Sequence, residues 1–211
     1  MFRYIMLLFA LSLLLVFSST AAMAGIGVGG SLLMSLPQED FANVSEIGGG
    51  LGLKFLFSPT LAPAIAVRAD AAFVVYGSEN YREQVAGIPV DITVRNQSAQ
   101  FTVGPQLQMP AGPVRFYVAP LAGVYNYNTR VEIEGTDVGE TQSSTTKFGW
   151  NISAGLLVRV YESPIKKLKL DVDLEGKYHT IKDAIETEID GVVEKSDAND
   201  VSLMAGVLFS F

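Results

Sequence analysis

Four groups of residues in this 211-residue chain have types and spacing that could do chemistry. The first is Gly25-Ile26-Gly27-Val28-Gly29-Gly30, a literal match to the glycine pattern that cradles a dinucleotide pyrophosphate. That pattern works between a strand and the opening of a helix, where free amides and the helix dipole meet the phosphates. Here it opens a strand-like segment instead. Gly27 and Gly29, with Gly48, Gly50 and Gly52 further on, therefore read as inward-facing gaps that leave room for long Arg and Tyr side chains opposite. The second is His179, the one histidine. An imidazole acting as a base needs a hydroxyl within hydrogen-bond reach, and Thr180 points to the opposite face of its strand, so His179 reads as a polar rim residue. The third is the segment 182–200, with seven carboxylates (Asp183, Glu186, Glu188, Asp190, Glu194, Asp197 and Asp200) against Lys182 and Lys195. Such density can hold Ca²⁺ or Mg²⁺, but the spacing is not that of an EF-hand, and the segment reads as a solvated charged loop with no metal site. The fourth is a set of charges that share one face of alternating segments: Lys54, Arg68, Asp70, Arg115, Arg159, Lys169, Asp171, Asp173, Glu175 and Lys177.

Composition narrows the chemistry further. With no cysteine, thiol nucleophiles, thiolate zinc sites, iron–sulfur clusters and disulfide scaffolds are excluded together. A net charge of −7 argues against a nucleic-acid partner, which requires clustered Lys and Arg. No cofactor-binding motif survives this reading.

The elements that must position these residues follow from the hydropathy pattern. Residues 1–24 hold Arg3, an apolar run from Ile5 to Phe17 and Ala22-Met23-Ala24. That is the layout of a secretory signal peptide, predicting cleavage after Ala24 and a mature domain over 25–211. The apolar run is too short for a bilayer-spanning helix, which needs ~20 residues. Beyond Gly25 the period is two. Eight strands are predicted, at about 26–36, 46–57, 63–76, 94–109, 114–128, 147–161, 168–180 and 200–211. In the seventh, Leu168, Leu170, Val172, Leu174, Gly176 and Tyr178 face one way, and Lys169, Asp171, Asp173, Glu175, Lys177 and His179 face the other. Nothing in the chain is available to cover eight greasy faces as a soluble protein would. The economical solution is an all-β fold: an eight-stranded antiparallel up-and-down transmembrane β-barrel with its apolar face in lipid.

Connection lengths point the same way. Short links near Pro59, Pro110 and Pro164 alternate with long ones at about 37–45, 77–93, 129–146 and 181–199, as in barrels with brief periplasmic turns and long outer loops. Outward aromatics sort into two girdles, Phe55, Phe57, Phe116, Phe209 and Phe211 at one rim, and Phe73, Phe101, Phe148, Trp150 and Tyr178 at the other. Ile133-Glu134-Gly135-Thr136 and Ile189-Asp190-Gly191-Val192 are hairpin signs, so strands are expected to continue above the membrane. Pro105 and Pro120 interrupt strands of a barrel without edges, which predicts bulges or altered registers there.

The segments Phe116-Tyr117-Val118-Ala119-Pro120-Leu121-Ala122-Gly123-Val124-Tyr125-Asn126-Tyr127 and Phe148-Gly149-Trp150-Asn151-Ile152-Ser153-Ala154-Gly155-Leu156 resemble paired strands of the OmpA-like small outer-membrane β-barrel family. Val207-Leu208-Phe209-Ser210-Phe211 resembles the aromatic-ended signal read by the barrel assembly machinery, with Val207, Phe209 and Phe211 as the recognised side chains. The resemblance spans 25–211 and implies an outer-membrane location. It also implies contact with outer-membrane lipid and lipopolysaccharide, periplasmic chaperones and the assembly machinery during biogenesis, and a monomer. The peptidoglycan-binding domain of full-length OmpA proteins has no counterpart in 25–211.

By strand parity the ten alternating charges enter the interior, and eight strands enclose a lumen only wide enough for side chains to fill. Tyr117, Tyr125, Tyr161, Leu121 and Leu157 are expected to occupy what the charges leave. The predicted role is non-enzymatic: envelope integrity and surface contact through long outer loops. The rival readings are a narrow pore for small solutes and a lipid-modifying outer-membrane enzyme.

Overall fold

In the computed structural model, residues 25–43, 45–59, 62–85, 88–133, 141–163, 168–189 and 192–211 are described. The predicted signal segment 1–24 and the turn signs at 134–136 and 190–191 lie outside them. Eight strands follow in chain order: β1 (Gly25–Gln38), β2 (Gly48–Ser58), β3 (Ile65–Val85), β4 (Ile88–Gln108), β5 (Val114–Ile133), β6 (Thr141–Glu162), β7 (Lys169–Ile189) and β8 (Val192–Ser210). Each pairs antiparallel with its neighbours, and β1 pairs with β8 from Gly27↔Ser210 to Gln38↔Asn199 to close the barrel. The fold is the expected eight-stranded up-and-down barrel.

Period-two alternation decides which side chain goes where. Leu32, Leu53, Phe101, Phe116, Phe148 and Trp150 project outward and are exposed, while the residues between them are buried inside. An apolar exterior is stable only against lipid, because water would meet a continuous greasy surface.

The strands run longer than predicted on one side. β3 and β4 pair out to Val85↔Ile88, and β7 and β8 out to Ile189↔Val192. A 21-residue strand tilted near 40° rises about 50 Å, twice the roughly 25 Å lipid-facing band, so these hairpins stand clear of it. Register shifts occur between Val75 and Ser78 and between Ile181 and Ile185, close to where the predicted membrane segments end. β3 carries one extra residue at the first shift and β7 two at the second, and such insertions bend a strand and increase its twist.

Three expectations are corrected. Neither proline causes a bulge. Val103↔Ala122 and Leu107↔Val118 share one register, so Pro105 stands directly opposite Pro120, and their other neighbours pair normally as Pro105↔Val67 and Pro120↔Ile152. Directly opposite residues exchange both amide hydrogen bonds or neither, so two facing prolines confine the missing donors to one place in the ladder. Gly104 permits this close approach, since a Cβ there would meet the Pro120 carbonyl and come within 3.1 Å of Leu121 Cα. Second, Tyr161 is 53% exposed rather than inside. Arg159 pairs with Asp171 but Tyr161 with Leu170, so Val160 is an extra residue that turns Tyr161 to the outer face. Third, the first long link is not only a loop. It holds a 3-10 turn over Glu39–Asn43, and Glu39, at φ 52°, redirects the chain so that Phe41 drops into the barrel mouth.

Candidate functional site in the barrel lumen

The site is built from inward positions on successive strands. At the centre Lys54 of β2, Arg68 and Asp70 of β3, Tyr117 of β5, and Asp173, Glu175 and Lys177 of β7 converge, all buried. Arg68, with no exposed surface, donates Nε to Asp70 Oδ1 at 2.8 Å and Nη2 to Asp70 Oδ2 and Glu175 Oε1, each at 2.6 Å. Its Nη1 reaches Ser153 Oγ of β6 at 3.2 Å and Gln106 Oε1 of β4 at 3.3 Å. Lys54 Nζ donates to Asp173 and, at 2.5 Å, to Glu175 Oε2. Lys177 Nζ lies 2.5 Å from Asp70 Oδ2 and 3.6 Å from Glu175 Oε1. The Tyr117 hydroxyl sits between Asp173 at 2.7 Å and Glu175 at 2.8 Å, and its ring accepts Lys54 Nζ 4.8 Å from the centroid. That ring needs Gly155 opposite it, where a Cβ would come within 2.6 Å of Tyr117 Cζ. Three cations and three anions from β2, β3 and β7 face one another, with neutral partners from β4, β5 and β6. The arrangement is neutral, and its members have hydrogen-bond partners.

Towards the short-turn end, Asp171 accepts Arg115 Nη2 at 2.5 Å and Arg159 Nε at 2.7 Å. Arg159 also donates to Glu162 at 2.8 Å. Lys169 stands apart from the lumen network. Its side chain is 40% exposed at the mouth and faces Glu162 at 3.5 Å, because it is the first residue of β7.

Towards the outer end a second polar level comprises Ser35, Tyr125, Asn151, His179 and Asp200. His179 is 1% exposed, not a rim residue, because β7 runs on to Ile189 and Phe41 covers the mouth above it. Phe41 packs edge-on against Tyr76 and Tyr127, with centroids 5.4 and 5.7 Å apart. His179 Nδ1 meets the Tyr125 hydroxyl at 3.2 Å, and Asn151 Nδ2 donates to that same oxygen at 2.9 Å. Ser35 Oγ donates to Asp200 Oδ2 at 2.5 Å. Asp200, counted with the solvated acidic loop in the sequence, is buried here. Ser35 and Tyr76 follow the strand alternation and were legible in principle; Phe41 carries no periodic signal.

A closed barrel with an apolar exterior and a charge-balanced interior defines a membrane-spanning β-barrel of the outer-membrane kind. The family model of the outer membrane protein beta-barrel domain matches residues 8–211, and the chain belongs to that family, whose place is the outer membrane. Among solved structures it is similar to Ail, the attachment invasion locus protein of Yersinia pestis, in complex with the heparin analogue sucrose octasulfate, at 16% identity over 89% of this chain and 97% of that one, with a TM-score of 0.45. Neisserial surface protein A is similar at 14% identity over 88% and 95%, TM-score 0.47. The outer membrane protein OprG of Pseudomonas aeruginosa is similar at 13% over 89% and 95%, TM-score 0.42. Among curated proteins none matches.

Proposed function

We propose that this protein is a non-enzymatic outer-membrane barrel that contributes to envelope integrity and makes surface contacts through its outer hairpins. The observation that carries the reading is the neutral network of Lys54, Arg68, Asp70, Asp173, Glu175 and Lys177 across the lumen. Moving a solute past it would separate buried ion pairs at several kcal/mol each, so the interior serves as a strut rather than a channel. An enzymatic role is disfavoured by the burial of His179 beneath Phe41, which leaves a substrate no approach to the one imidazole.

Residues 1–24 act in this reading as the export signal, and outward-facing Val207, Phe209 and Phe211 as the handle for periplasmic chaperones and the assembly machinery. Lipid and lipopolysaccharide surround the monomeric barrel.

Planar-bilayer recording of the refolded protein tests the central claim. No steady conductance is expected. Large, stable, voltage-independent channels from the folded monomer would overturn the reading in favour of the narrow pore.

A further inference from the structure

The two ends of the lumen are not alike. Phe41 closes the outer mouth, whereas the short-turn mouth opens into a cavity of about 660 Å³. In outer-membrane barrels that end faces the periplasm. The cavity is a dead end, because Lys54, Tyr117 and their carboxylates lie beneath it. Leu56, Leu157 and Leu208 line it and belong to a buried apolar cluster with Tyr117. Arg115, Arg159 and Lys169 line it too.

The local charges do not cancel. Asp171 serves both guanidiniums, and Glu162 is shared between Arg159 and Lys169, so among the described side chains three cations meet two carboxylates. Lys169 Nζ, on a side chain 40% exposed and 3.5 Å from Glu162, has N–H donors to spare for an acceptor in the cup. An apolar floor with a cationic wall and spare donors, in a volume typical of small-molecule sites, fits one chemistry.

We infer that this periplasm-facing cup binds a small, water-soluble amphiphilic anion, a carboxylate or phosphate on a compact apolar body. The apolar body rests on the three leucines, and the anionic head meets Arg115, Arg159 and Lys169. The inference stands apart from the role proposed for the hairpins, since a dead-end cup binds without conducting.

Fluorine NMR on the full barrel in lipid nanodiscs tests it, with 4-(trifluoromethyl)benzoate as probe. Its methyl ester and 4-(trifluoromethyl)benzylamine serve as neutral and cationic counterparts, and empty nanodiscs report partitioning into lipid. The expected result is saturable binding of one benzoate per barrel, with ester and amine no different from empty discs. Arg115→Gln should weaken binding at least about tenfold, as for a lost hydrogen bond to a charged group. Lys169→Gln, at the exposed rim, leaves the buried pairs intact and should weaken it by about threefold, in line with a partly screened charge. Ser58→Trp places an indole in the cup and should abolish binding, while the heat-modifiable gel mobility of each variant reports folding. Absence of saturable binding, equal binding of the amine, or folded Lys169→Gln and Ser58→Trp variants that bind like wild type would overturn the inference.

Discussion

The centre of the lumen and the polar level just outside it use similar residues and reach opposite solutions. At the centre Glu175 meets Lys54, Arg68 and Lys177, and every charge has a hydrogen-bonded counter-charge. One level out, His179 Nε2 and Asp200 Oδ1 face each other at 3.6 Å, and neither has a hydrogen-bond partner. Asn151 Oδ1 and Ser202 Oγ are likewise unpartnered. Burial costs a charge several kcal/mol unless close partners offset it. The centre offsets that cost with a six-charge network. The outer level, beneath Leu33, Phe41 and Val74, has no such network, and Asp200 has the Ser35 and Tyr76 hydroxyls in place of a cation. Removal of a charge should therefore matter greatly in the first region and little in the second.

The largest effect is expected from Glu175→Ala. It strips an acceptor from three cations and leaves them buried, a class of change that costs about 3–5 kcal/mol. Guanidinium unfolding followed by heat-modifiable gel mobility reads the loss. A decrease below about 1 kcal/mol would mean that water, not Glu175, satisfies those cations, and the contrast between regions would disappear.

Phe41→Ala comes next. Truncation of a buried phenylalanine costs about 3–5 kcal/mol, and the low end applies here because a five-residue 3-10 turn can settle into the space. The change should also be local. Hydrogen exchange should rise at the amides of Tyr125, Asn151 and His179 and stay constant at Lys54 and Glu175. Equal acceleration at both levels would show that the cap stabilises the whole barrel.

Much of this was legible from period two alone, since each strand has one face that tolerates lipid and one that does not. Parity assigned Lys54, Arg68, Asp70, Asp173, Glu175 and Lys177 to a common side; it could not say which would meet. Lys54 is in register with Asp70 on the next strand but bonds across the lumen to Asp173 and Glu175, a choice set by closure and side-chain length. Parity puts Tyr161 inside, but Val160 bulges, and a bulge flips every later side chain without any mark in the pattern. The prolines misled for the opposite reason. Each alone reads as a defect, and only the register reveals that they face each other. The sequence pattern puts His179 at the rim because the apolar alternation stops beside it, whereas charged residues continue β7 well above the membrane.

The smallest effect, and the sharpest test of the comparison, is expected from Asp200→Asn. Asp200 Oδ2 accepts from Ser35, and an asparagine keeps an oxygen for that bond. What the substitution removes is the charge. Among the described residues the one group within 4 Å able to carry a positive charge is His179, whose Nδ1 faces the Tyr125 hydroxyl. If the Tyr125 hydroxyl, which accepts from Asn151, donates to His179 Nδ1, the neutral ring carries its proton on Nε2. Asp200 then faces a neutral N–H at a distance too long for a hydrogen bond, and gains little from it. Loss of that weak attraction is set against relief from burying a carboxylate without a cation, so the stability change should stay within about 1 kcal/mol, well below that of Glu175→Ala. A loss of about 3 kcal/mol or more would mean that His179 is charged and truly paired with Asp200. The outer level would then be a second ionic strut, and the two regions would differ in size alone.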